Sequence, residues 1–394
     1  MKKEHWGNTL SGTLFVAGTS IGAGMLALPF ATGVAGFVPA VVINIISWAY
    51  MFCTGLLFLE VTLWMPDGSN VLSMSRRYLG VPGRWLGGAA FLYLYYCLLV
   101  AYFSAGAPIL VETIAQISGL QLSPRQGLFL FTLIFGFIIW LGAWITDRIN
   151  YILMAGLIIS YVAMIGTGAR EIRLDLLVHQ EWRLAFFAIP TVWAAFGYHN
   201  IVPSITTYLH RNSHKLRWAI FLGTLIPLIV YGFWQLIVIG SVPPDVITAT
   251  LEQGKPITDA LGNGGWFAGF ARYFAFFAIV TSVLGVSLSM VDFMGDGTKI
   301  PRKGWGRLAL CLLVFTPPFV FTWEAPHLFF SALHWAGVYG EAILNGLLPI
   351  LMVWVGRYFM NQQSDYRLPG GRWTLSALLL LTVLIITFET IRLF

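Results

Sequence analysis

Charge is what this sequence has least of. Asp, Glu, Lys and Arg make up 10% of its 394 residues against 58% hydrophobic, and the mean hydropathy is +0.77. So little charge cannot cover the surface of a water-soluble domain. The net charge of +6 is dispersed over short joints, with no basic run or face of the kind that binds nucleic acid. Cysteine is equally scarce: Cys53, Cys97 and Cys311 each fall in an apolar stretch without CxxC or Cys/His spacing, which argues against a disulfide framework and a metal site. Long polar stretches are missing too, leaving no length for a separate soluble domain. A single membrane-embedded domain over residues 1–394 is expected.

Apolar length is what the chain has instead. Segments of roughly 20 residues, enough to cross a bilayer as helix, recur at about 10–34, 38–63, 86–116, 127–144, 151–168, 185–208, 217–240, 266–291, 305–322, 328–355 and 374–391. They are numbered 1 to 11 below. Lys2 and Lys3 before the first run resemble the start of a signal peptide, but the run continues through Pro29 without a small-residue cleavage site, so it is kept as segment 1. Basic residues favour the joints after even-numbered segments, from Arg76, Arg77 and Arg84 to Lys299, Arg302 and Lys303. That places the N-terminus in the cytoplasm and, with an odd segment count, the C-terminus outside. The outer joints 169–184 and 241–265, with Pro243-Pro244, Gly254 and Gly262-Asn263-Gly264-Gly265, read as solvated turns or short surface helices.

Two segments are interrupted. In segment 1, Ala17-Gly18-Thr19-Ser20-Ile21-Gly22-Ala23-Gly24 packs glycines and hydroxyl residues into barely two turns, lowering helix propensity where a continuous membrane helix needs none of them. An unwound hinge is expected, with free backbone groups able to face a ligand. Gly18-Thr19-Ser20-Ile21-Gly22 also matches the G-x-S-x-G nucleophile elbow, but that motif needs a strand before it and an Asp/Glu and His downstream, so an intramembrane hydrolase using Ser20 is the remote alternative. A small-xxx-small packing face at Gly18 and Gly22 is the plain structural one. Segment 6 carries the second interruption, Trp193-Ala194-Ala195-Phe196-Gly197-Tyr198-His199-Asn200, and Pro203 follows it much as Pro29 follows the first. Paired breaks at equivalent places point to a transporter built from inverted repeats: repeat 1 at about 8–168, repeat 2 at about 184–355, and an added helix at about 374–391.

Ionisable groups at membrane depth carry a cost that calls for a partner or a role. His199 lies at a break, either as a functional group or as a neutral imidazole bonded to an unwound carbonyl. His334 and Glu341, seven residues apart, share one face of segment 10 and suit a proton relay or gate. Glu60 and Asp292 fall near cytoplasmic ends, and Arg272 within segment 8. Thr281-Ser282 offers hydroxyls at mid-depth, for helix back-bonding or for sodium. Trp193, Phe196 and Tyr198 are core aromatics or ring-packing groups for a substrate.

The runs GTSIGAGMLALP at Gly18–Pro29 and FGYHNIVPSI at Phe196–Ile205, the joint Lys215-Leu216-Arg217-Trp218 and TSVLGVSL at Thr281–Leu288 resemble the hydroxy and aromatic amino acid permeases over essentially the whole chain. The resemblance implies a LeuT-like fold of eleven transmembrane helices in the amino acid, polyamine and organocation superfamily, with helices 1 and 6 broken. It also implies a non-enzymatic, ion-coupled importer of tyrosine, or alternatively of tryptophan, in the inner membrane. By that likeness the N–H groups of Ser20, Ile21, Gly22 and Ala23 would meet the substrate carboxylate, and carbonyls near Ala17 and Phe196 its ammonium, with Gly18, Thr19, Gly24 and Gly197 completing the breaks. Selectivity for a phenol needs a group that is left unsatisfied by phenylalanine. Candidates are His199, Tyr96, Ser282 and His334. Some relatives carry a lysine in segment 5, but Tyr151–Gly168 holds no Lys, Arg, Asp, Glu or His. The coupling ion is therefore sodium near Thr281 and Ser282, or a proton at His199, His334 or Glu341. No other cofactor, nucleic acid or obligatory protein partner is expected; the bilayer is the remaining partner.

Overall fold

A computed structural model describes residues 8–253, 257–261 and 265–392. Every regular element among them is helical. Among the described residues nine helices are long and apolar enough to cross a membrane, and the bent pair Thr9–Ser20 and Ala23–Thr32, segment 1, brings the number to ten. The nine are Phe37–Trp64, Val71–Ser118, Pro124–Leu141, Ala143–Gly168, Ser213–Ser241, Trp266–Thr298, Gly304–Glu324, Phe329–Tyr358 and Gly371–Arg392, segments 2 to 5 and 7 to 11 in order. Segment 6 adds no continuous span: it is two seven-residue helices, Ile189–Ala195 and Val202–Tyr208, on either side of a break.

The ends follow from capping chemistry more than from hydropathy. Segment 3 begins at Val71 rather than 86 because Asn70 and Ser73 form a capping box there, and the polar Arg76 and Arg77 hide this first stretch from a hydropathy reading. Gly80, at φ 72°, ψ −157°, then turns it into the span. Segment 5 begins at Ala143 rather than 151 because Gly142, at φ 112°, makes the turn out of segment 4. Its first turns therefore include Asp147 and Arg148. In the joints 169–184 and 241–265, Leu174–Leu177, Trp182–Ala185, Pro244–Glu252 and Ile257–Leu261 are short helices. Gly254 and Gly262-Asn263-Gly264 lie outside the described residues.

Segment 3 is the most enclosed of the continuous segments and segment 5 the least; Ile152, Ile158, Ile159 and Val162 of segment 5 face outward as a lipid surface. Lipid removes the hydrophobic drive for helix association, so small residues that permit close approach matter more. A side chain on Gly340 would meet Leu94, one on Gly106 would meet Phe131, and one on Gly337 would run into the carbonyl of Pro190. Segment 8 packs along segments 5 and 3, segment 10 along segment 3, the first half of segment 1 along segment 7, and segment 2 along segments 6, 7 and 10.

Polar ties mark both ends. Arg357 of segment 10 meets Glu60 of segment 2, and both bind the backbone of Leu368 in the joint 359–370. Tyr366 of the same joint is buried beneath the guanidinium of Arg217, 5.2 Å from its ring centre, and burial pushes its hydroxyl above the usual phenol range. At the other end His334 joins segments 6 and 11, its Nδ1 3.3 Å from Thr191 Oγ1 and its Nε2 3.3 Å from Glu389.

Candidate substrate site

The break in segment 1 is short. Helix runs to Ser20, Ile21 and Gly22 are extended, and a 3-10 turn resumes at Ala23. Ala17 has its carbonyl taken by the Ile21 N–H at 2.9 Å. The Ala23 N–H crosses to segment 8 and donates to Ser282 Oγ at 2.9 Å, and the hydroxyl of Tyr102 in segment 3 reaches the same serine. A side chain on Gly22 would overlap Ser282 Oγ. Gly24 lies against segment 6: a Cβ there would be 3.0 Å from Ala195 Cα. The two breaks are neighbours.

The break in segment 6 takes in Phe196, Gly197 and Tyr198 between the helix ending at Ala195 and a 3-10 turn from His199. Gly197 is open to the carboxylate of Glu341, which any Cβ would strike. That carboxylate accepts from Asn345 Nδ2 and lies within a π-helical stretch, Ala336–Leu347, a geometry that recurs at functional sites. Phe196 leans on Tyr231 at 4.9 Å, and Trp193 stacks on Tyr50 at 4.2 Å; Tyr50 in turn bonds Thr382 of segment 11 at 2.6 Å.

The hydroxyl of Tyr231 in segment 7 lies 2.6 Å from the Ser20 carbonyl and 2.7 Å from the Ala195 carbonyl, and Trp234 Nε1 donates to the Met25 carbonyl at 2.9 Å. Segment 7 thus serves backbone groups that both breaks release, which buried in lipid would otherwise be costly. Close by, Leu26, Ala105, Ile109 and Ile279 help line a narrow cavity of about 10 Å³, room for one water.

Several expected residues stand apart from this centre. Tyr96 turns outward and donates to the Leu313 carbonyl at 2.9 Å, while its neighbour Tyr95, a helical step away, is buried and reaches Ser289. His199 is buried with Nε2 3.0 Å from Thr54 Oγ1 of segment 2 and its ring against Phe58; Tyr198 donates to the Met51 carbonyl at 3.2 Å. Both face segment 2. His334 is spent on Thr191 and Glu389. Thr281 bonds back to Phe277 and Ala278, and Ser20 to Val16. Gly18 and Thr19 are exposed, with Thr19 Oγ1 bonded to Phe15 at 2.7 Å. Tyr231, Trp234, Tyr102 and Asn345 were not singled out in the sequence. A signal existed for segment 7: Tyr231, Trp234 and Gln235 set polar tips at i, i+3 and i+4 on one face of an otherwise apolar helix.

A multi-pass helical chain that opens two adjacent helices and turns their freed backbone groups toward one another has the construction of a membrane permease. The tryptophan/tyrosine permease family model matches residues 6–389, and the chain belongs to that family. It is 32% identical to tyrosine-specific transport system 1 of Haemophilus influenzae over 386 residues, covering 96% of this chain and 95% of the relative. Tyrosine-specific transport system 2 of that organism is 32% identical over 389 residues, with 96% and 95% covered. Its tryptophan-specific transport protein is 28% identical over 393 residues, with 95% and 94% covered.

Proposed function

We propose that this chain imports tyrosine across the inner membrane by ion-coupled alternating access. The observation that carries the reading is the meeting of the two breaks, with Gly24 against Ala195 and the Ser20 and Ala195 carbonyls converging on one hydroxyl. The Ala23 N–H, which Ser282 Oγ occupies here, is the donor for the substrate carboxylate, joined by those of Gly22 and Gly24; the helix ends receive the ammonium. Greater identity to the two tyrosine-specific relatives than to the tryptophan-specific one favours tyrosine.

The packing supports a five-plus-five repeat with segment 11 added. Segments 5 and 8 lie along each other as segments 10 and 3 do, and segment 1 meets 7 as segment 6 meets 2. Exchanging the halves turns each pair into the other. The bias of Lys and Arg toward the joints after even-numbered segments supports a cytoplasmic N-terminus and, with eleven segments, a C-terminus outside.

For coupling we favour a proton at Glu341. It is 3% exposed at the segment 6 break, its amide partner is neutral, and no ion pair reaches it among the described residues. A carboxyl so placed has reason to exchange a proton.

Uptake of labelled tyrosine by proteoliposomes under imposed proton or sodium gradients, competed by tryptophan and phenylalanine, tests the whole reading. Accumulation driven by an inward proton gradient and competed weakly by phenylalanine is expected. Accumulation driven only by sodium overturns the coupling; preference for tryptophan overturns the substrate; no accumulation under either gradient overturns the function.

A further inference from the structure

Segment 7 places one hydroxyl between the ends of both broken helices. Tyr231 Oη is 2.6 Å from the carbonyl of Ser20, the last residue of Thr9–Ser20, and 2.7 Å from that of Ala195, the last residue of Ile189–Ala195. The side chain is wholly buried. A phenol has one proton to donate, so the two carbonyls share it and neither is fully satisfied. Both carbonyls close helix C-termini, where the peptide dipoles sum to roughly half a negative charge each. Two such ends aimed at a single uncharged donor leave acceptor capacity and negative potential to spare, the conditions that attract a cation carrying N–H groups.

We propose that Tyr231 is a positioning residue for the substrate's ammonium: its hydroxyl holds the Ser20 and Ala195 carbonyls convergent, and the ammonium takes the acceptor capacity that the single phenol proton leaves open. The inference rests on the transport reading and deepens it. The ring does not depend on the hydroxyl for its place, since Phe196 lies against it, and Trp234 and Gln235 on the same helix face bond Met25 and Thr32 at 2.9 Å each. Removing the hydroxyl therefore lets two like-charged helix ends part while segment 7 stays.

Tyr231→Phe in the reconstituted full-length protein is the test, with affinities for tyrosine and for 3-(4-hydroxyphenyl)propionate, which lacks the amino group, read by competition against labelled tyrosine. The wild-type protein is expected to prefer tyrosine to the des-amino compound. In Tyr231→Phe the tyrosine affinity is expected to fall about tenfold, the scale of a lost hydrogen bond to a charged group, while that of the des-amino compound holds. Trp234→Phe removes a comparable hydrogen bond on the same face and is expected to leave the ratio of the two affinities unchanged. Equal weakening of both compounds, no change, tighter tyrosine binding, or the same collapse of the ratio in Trp234→Phe overturns the proposal. A Tyr231→Phe protein that fails to fold where Trp234→Phe folds assigns the hydroxyl to folding and also overturns it. Absence of tyrosine uptake by the wild-type protein sinks the transport reading itself, a distinct result.

Discussion

Arg357 and Glu60 meet through two parallel hydrogen bonds, 2.7 Å at Nε and 2.5 Å at Nη2, with 2% and 1% of their side chains exposed. Leu368 completes the pair: its N–H donates to the carboxylate at 3.1 Å and its carbonyl accepts from the guanidinium at 3.0 Å. Removing one partner leaves the other charged and enclosed, which costs about 3–5 kcal/mol. Glu60→Gln and Arg357→Gln are each expected to lower the unfolding temperature in detergent sharply, and the double change Glu60→Met with Arg357→Leu less than either. A double variant worse than both singles would show that the pair itself is the source of stability.

Gly22→Leu is expected to insert normally into the membrane and to abolish uptake. Its side chain would occupy the place of Ser282 Oγ and displace the contact to the Ala23 N–H. Measured together, membrane abundance and tyrosine uptake decide the matter; normal transport by this variant refutes the segment 1 break as part of the site.

His199→Gln is expected to reduce thermal stability without changing the uptake ratio of tyrosine to phenylalanine, because the imidazole is bonded to Thr54 and packed on Phe58, facing segment 2. A changed ratio at unchanged stability would restore His199 as the group that reads the phenol.

Glu341→Gln keeps the shape and the Asn345 contact but can no longer exchange a proton. Counterflow of labelled for unlabelled tyrosine is expected to continue, while accumulation driven by a proton gradient is lost and uptake no longer follows external pH. Retained proton-driven accumulation places the coupling group elsewhere.

The segments and both breaks were legible because each is a local property: roughly 20 apolar residues, or glycine and proline gathered within two turns. Partners were not. Tyr231 and Ser20 lie 211 residues apart, and nothing within either segment names the other. Tyr95 and Tyr96 show the same limit at closer range. In a helix apolar on all sides no periodicity tells inside from outside, so choosing between adjacent tyrosines, about 100° apart on a helix, was beyond the sequence; the buried one is Tyr95. The start of segment 3 was obscured for the opposite reason, since Arg76 and Arg77 are interfacial residues on a helix that a hydropathy reading ends too soon.

The fastening of the joint 359–370 gives this end of the bundle a particular mechanical character. For segments 2 and 10 to part there, the Glu60 carboxylate, the Arg357 guanidinium and both backbone groups of Leu368 would have to exchange partners for water together, since none keeps a satisfactory environment alone. A contact of this kind does not loosen by degrees; packed, paired interfaces are bistable. Any parting at that end would therefore be all-or-none: closed with every charge answered, or open with all of them hydrated.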